Sequence, residues 1–167
     1  MNSGTLIGSL IFAVVLVALI ALVISLMIRG WRRRGERQAQ LIGNLPDVPD
    51  EVGTATISMR GHYSGCSLAP DWNERVTAGD LGYRSKAVLT RYPEGIMVQR
   101  VHGKPIWIPQ ESITAIRTEG ASAGRVGPHA GILVIRWRLP SDVEIDTGFR
   151  ARSRSDYDDW LAEEQRS

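Results

Sequence analysis

Leu6–Ile28 reads LIGSLIFAVVLVALIALVISLMI and carries no charged side chain. At 1.5 Å per residue, a helix of about 23 residues covers a ~30 Å hydrocarbon core with some tilt. The stretch is therefore expected to be a transmembrane helix, 6–28, with 1–5 as a short extracytoplasmic tail. Every Asp, Glu, Lys and Arg lies after Ile28, so burial in lipid strands no side-chain charge, and a helix satisfies its own backbone hydrogen bonds. A helix buried in a soluble core and a cleaved signal peptide are the two rivals. A signal peptide shows a basic start, a shorter apolar core and a small-x-small cleavage site; here MNSGT has no basic side chain and the run ends in Arg-Gly-Trp-Arg-Arg-Arg.

That ending sets the expected orientation. Arg29, Arg32, Arg33, Arg34 and Arg37 form a basic juxtamembrane segment, 29–37, and Lys and Arg close to a span stay on the cytoplasmic side. The chain then has its N-terminus outside and its C-terminal part in the cytoplasm, as a single-pass protein of the plasma membrane. Trp31 suits headgroup depth, and the arginines suit anionic lipid heads of the bilayer. No nucleic-acid partner is needed to explain them.

Charge is divided along the chain. The formal charge of the whole is +2 with a pI near 9.0, yet the juxtamembrane segment, five Arg with Glu36, already supplies +4 and leaves −2 for everything after Arg37. The basic character belongs to the anchor, and the rest is mildly acidic. Cys66 is the only cysteine, which excludes an internal disulfide or a multi-cysteine zinc site and suits a reducing compartment. Within the span, Gly4 and Gly8, then Ala21 and Ser25, repeat a small-xxx-small spacing that lets two helices approach, so a homodimer through this face is conceivable.

Residues 38–53, with Pro46 and Pro49 among Asn, Asp and Gly, read as an extended linker. A folded domain, 54–167, follows. Its period becomes two at Ala55, Ile57 and Met59, and Gly61 and Gly65 are expected to break that strand. Residues 71–78 fit helix and strand alike, and strand is preferred. Lys86–Tyr92, a Pro93-Glu94-Gly95 turn and Ile96–Val101 make a hairpin. Ile106–Pro109, Ile113–Thr118, Ile132–Leu139 and the alternation Val143, Ile145, Thr147 add further strands, and the Gly-rich segment 120–131 reads as a loop. Ser155 is expected to cap a final amphipathic helix whose face carries Tyr157, Trp160 and Leu161. About seven antiparallel strands closed by one C-terminal helix is the pattern of a mainly β, pleckstrin-homology-like barrel.

Gly30-Trp31-Arg32-Arg33-Arg34 at the end of the span, Asp71-Trp72, Gly131–Leu139 and Ile145-Asp146-Thr147-Gly148-Phe149-Arg150 carry a resemblance covering nearly the whole chain. The sequence resembles a family of small actinobacterial membrane proteins with one N-terminal span and a pleckstrin-homology-like domain. The resemblance implies a membrane-tethered, non-catalytic domain, from a family whose members lie near pyrimidine-biosynthesis genes and are in some cases labelled transporters or export proteins.

Three sets of residues could carry chemistry. Asp146-Thr147-Gly148 matches the triplet of aspartic proteases, which pair two aspartates around one proton. Phe149 replaces the usual small residue, and too little chain follows to cover a substrate, so Asp146 is expected to face solvent and Gly148 to permit a bend. His62, Cys66, His102 and His129 lack metal-ligand spacing, and no phosphate-loop or nucleophile-elbow motif occurs; neither metal nor cofactor is expected. Arg60, Arg84 and Lys86 are candidate ligand-binding cations, of the kind that form a basic mouth for phosphorylated headgroups. The expected function is a membrane-tethered adaptor or scaffold, not an enzyme, that binds a protein partner. A regulatory subunit of a membrane transport or export complex is the alternative, and an anionic-lipid-reading domain the third reading.

Overall fold

In the computed structural model, which describes residues 3–122, 125–126 and 131–166, the chain forms two compact units, Met1–Arg37 and Gln38–Ser167. A single helix, α1, runs Ser3–Ile42. Its most apolar window has a mean hydropathy of 3.3, so by length and composition it can cross a membrane. The helix does not stop where the linker was expected. Gln38-Ala39-Gln40-Leu41-Ile42 are good helix formers, and α1 ends only at Gly43, whose φ of +62° takes the left-handed conformation that closes helices. Gly43 N donates to Ala39 O at 3.0 Å. Extended chain therefore begins at Gly43, not at Gln38.

The second unit starts with contacts that an unstructured linker would lack. Ile42 is only 4 % exposed and belongs to the core, with Leu45 packed beside it. The Gln38 amide accepts from Thr77 N at 3.0 Å and Thr77 Oγ1 at 2.8 Å, and donates to Arg75 O at 3.2 Å.

Among the described residues nine strands follow: β1 (Ile57–Leu68), β2 (Ser85–Tyr92), β3 (Gly95–Arg100), β4 (Ile106–Pro109), β5 (Ile113–Glu119), β6 (Ala121–Ser122), β7 (Arg125–Val126), β8 (Ile132–Arg138) and β9 (Glu144–Ala151). Seven make one antiparallel sheet in the order β4-β3-β2-β1-β9-β8-β5, and β6 pairs with β7. That small pairing replaces part of the expected loop at 120–131; residues 123–124 and 127–130, His129 included, lie outside the described residues.

The long strand β1 joins the two halves of the sheet. Ile57–Tyr63 pair with β2, and Gly61–Leu68 pair with β9. Gly61 and Gly65 do not break the strand; they let it turn from one partner to the other. A Cβ on Gly61 would stand 2.1 Å from Arg150 O and 2.8 Å from the Phe149 ring, so β1 and β9 approach this closely only over a glycine. Between Tyr63 and Gly65 the register shifts, and Gly65 takes φ +110° opposite Gly148, the local kink expected of a bulge.

Met59, Tyr63, Leu89, Ile96, Val98, Ile106, Ile108, Leu133, Ile135, Trp137, Ile145 and Phe149 fill the interior, joined by Tyr157 and Trp160 of α2 (Ser155–Glu164). Tyr157 Oη donates to Gly131 O at 2.7 Å and accepts from Ala151 N at 2.9 Å, fixing the helix to the sheet. Ser155 does not cap α2: Arg154 holds the N-cap position without a side-chain bond, and Ser155 Oγ pairs with Ser153 Oγ at 2.8 Å. Residues 71–78 form no strand. Asp71 Oδ1 accepts from Asn73 N at 2.9 Å in a tight turn, only Ser67 and Arg75 make a bridge, and Val76 drops into the core.

Candidate functional site: a basic groove

Alternation along a strand sends every second residue to the same face. On β1 this places Arg60 and His62 outward, and the register sets His62 between Lys86 of β2 and Arg150 of β9. Arg152, just past β9, donates its N–H to Arg60 O at 3.2 Å. Arg84 precedes β2. One groove of about 790 Å³ is lined by His62, Arg84, Lys86, Val101, His102, Arg150 and Arg152 among others. A second, of about 660 Å³, shares His62, Lys86, Val101 and Arg152 with it and adds Arg60. The sequence candidates Arg60, Arg84 and Lys86 are thus brought onto one surface, with Arg150 and Arg152 beside them. No Asp or Glu stands among the described residues lining either groove.

The framework beneath is held by a buried arginine. Arg100, with a fully covered side chain, donates from Nε and Nη2 to Lys104 O and from Nη1 to Asp80 O. Its guanidinium lies 5.1 Å over the Tyr63 ring, within cation–π range. These bonds tie the Gly79–Gly82 turn to the 101–105 turn, and His102 N donates to Ser85 Oγ at 3.0 Å. Asp80 is engaged with Lys104 N at 3.2 Å and with Arg100 at 3.9 Å. Tyr63 Oη bonds Leu81 O at 2.7 Å and Cys66 Sγ at 3.1 Å. Burial raises the pKa of both Tyr63 and Cys66, which keeps the phenol and the thiol protonated beneath the groove.

Asp146 does not face solvent. It is 3 % exposed and receives Arg136 Nε at 2.8 Å, Arg136 Nη2 at 2.8 Å and Arg117 Nη2 at 2.9 Å; Arg117 also pairs with Glu119. Burial works to raise the Asp146 pKa, but the hydrogen bonds and charges of the two arginines outweigh it and hold the carboxyl below its usual range. A protease dyad needs a carboxyl that shares a proton, the opposite state. Thr147 Oγ1 accepts from Trp137 Nε1 at 2.9 Å and contacts Cys66 Sγ at 3.2 Å, so the triplet is a piece of framework. The juxtamembrane residues Arg29, Trp31, Arg32, Arg33, Arg34 and Arg37 are all exposed along α1. Among the described residues no group of His, Cys, Asp or Glu has the arrangement of a metal site.

A seven-stranded antiparallel sheet with a C-terminal helix packed into its interior defines the class as a pleckstrin-homology-like domain, a type that generally binds protein or lipid and does not catalyse. The family model of the bacterial PH domain-like proteins matches residues 42–165, and the chain belongs to that family. No curated protein and no solved structure matches the chain.

Proposed function

We propose that the protein is a membrane-tethered, non-catalytic binding module whose groove receives an anionic group. The observation that carries this reading is the outward cluster Arg60, Arg84, Lys86, Arg150 and Arg152, on a unit whose formal charge is negative. Like charges placed on neighbouring strands of one face, as Lys86 and Arg150 are on either side of β1, cost stability. A ligand carrying phosphate or carboxylate oxygens offsets that cost. The tether is α1, with its N-terminus outside the plasma membrane and the PH-like domain in the cytoplasm, as the arginines after Ile28 favour. The adaptor role expected from the sequence narrows accordingly: whatever the module recruits offers negative charge to this face.

The test uses the full chain in discs of neutral phosphatidylcholine, titrated calorimetrically with inorganic pyrophosphate. Binding is expected, weakening as salt rises. Lys86→Ala or Arg150→Ala is expected to lower affinity about fivefold, the equivalent of ~1 kcal/mol per cation. Absence of binding by the unmodified chain, or affinities untouched by both substitutions, refutes the reading.

A further inference from the structure

The chain from the end of β9 into α2 reads Arg150-Ala151-Arg152-Ser153-Arg154-Ser155-Asp156. Arg150 and Arg152 are two of the cations that line the groove. Ser153 follows them at the bend where β9 has ended and α2 has not begun. Arg150, Arg152, Ser153, Arg154 and Ser155 are all exposed. The Ser153 hydroxyl meets the Ser155 hydroxyl at 2.8 Å, a contact between two groups in water and one that water replaces at little cost.

Their surroundings separate these two serines. Ser155 is the first residue of α2, with Asp156 and Asp158 in the same turn, so a further anion there meets like charge on a backbone already wound into helix. Ser153 stands outside both elements and has an arginine on each side. A phosphoryl group carries a charge of about −1.5 to −2 at neutral pH with three acceptor oxygens, and opposite arginines it forms charge-assisted hydrogen bonds. Neighbouring Cα atoms are roughly 3.8 Å apart, which brings a phosphoryl group on Ser153 within reach of Arg152. Arg150 projects to the same side by alternation. Held by so short a tether, the group competes with any free anion at an effective concentration in the millimolar range.

We propose that Ser153 is a phosphoacceptor and that its phosphate, seated on Arg150 and Arg152, closes the groove to other anions. The proposal rests on the anion-binding reading above and adds its regulation. The donor is ATP and the catalyst a serine kinase that reads arginine. The Ser153 oxygen attacks the γ-phosphorus, the new O–P bond forms as the bond to the β-phosphate oxygen breaks, ADP leaves, and the hydroxyl proton passes to the base of the kinase.

The experiment incubates the full chain, in neutral phosphatidylcholine discs, with magnesium-ATP and the catalytic fragment of protein kinase C, and maps the phosphate by mass spectrometry. Transfer to Ser153 is expected, and Ser153→Ala should lose it while binding pyrophosphate like the unmodified chain. The phosphorylated chain is expected to bind pyrophosphate at least about tenfold more weakly, the effect of a tethered competitor. In phosphorus NMR the phosphoserine is expected to titrate below its ordinary value of about 6 and to return toward it in Arg152→Ala, a response that a merely loosened fold does not give. No transfer to Ser153 overturns the acceptor role. Transfer with unchanged pyrophosphate affinity overturns the closure and spares the groove. If the unmodified chain binds no pyrophosphate, the groove reading falls and this proposal falls with it.

Discussion

Asp146 shows how one residue can be legible in type and illegible in role. The triplet Asp-Thr-Gly suggests an enzyme, and the alternation of β9 correctly sends Asp146 to the side opposite Ile145 and Thr147. What the sequence alone does not display is that Arg117 and Arg136, on two other strands, close over it. Because its folded pKa is depressed, the stability that Asp146 contributes is fully present above the ordinary carboxylate range, near pH 4, and is lost as pH falls through the lower folded value. Asp146→Asn keeps the shape but removes the charge. It is expected to lower stability by about 2 kcal/mol at neutral pH, the scale of hydrogen bonds to a charged group, and to flatten the acid limb of urea denaturation measured against pH. An unchanged acid limb would place the carboxylate outside the folding equilibrium. Arg150 and Arg152 were illegible for a related reason: averaging charge over the whole unit gives a negative number and hides where the positive ones gather.

Elements were easier to read than their ends. β2, β3, β4, β5 and β8 stand close to the positions that period-two alternation assigns, and α2 buries Tyr157 and Trp160 as its helical spacing demands. The failures have local causes. Trp72 and Val76 fit either period, and what decides the segment is a turn at Asp71 with Val76 reaching the core. The span is recognised by its apolar residues, and nothing in the charged stretch after Ile28 marks how far the helix continues. Its last turn has a consequence for stability. A fragment beginning at Thr54 loses Ile42 from the core and the Gln38 bonds to Thr77 and Arg75. One beginning at Gln38 is expected to be about 3 kcal/mol more stable, the sum of one buried aliphatic side chain and a net hydrogen bond. Paired urea melts measure this directly, and equal midpoints with equal slopes would show that α1's end contributes nothing to the fold.

For the whole molecule, the sequence places charge and hydrophobicity along the chain, while the fold decides which thiol can report on them. Cys66 is buried and bonded to Tyr63 and Thr147, so a maleimide does not reach it in the folded protein from either side of a membrane. Val101→Cys supplies an exposed thiol in the same unit. On the proposed topology, with the domain on the cytoplasmic side, a membrane-impermeant maleimide is expected to leave Val101→Cys unmodified in intact cells and to label it once the cells are opened. Labelling in intact cells would reverse the orientation.

The shared strand β1 has a kinetic consequence. Its pairing with β2 closes a loop of local chain, whereas its pairing with β9 joins residues near 62 to residues near 150, and contacts between such distant segments form slowly. The β1–β4 meander can assemble while the rest of the polypeptide is still on the ribosome. The groove cannot, because Arg150 and Arg152 arrive with β9. In chain order α1 precedes β9, so the apolar helix is made before the groove is complete.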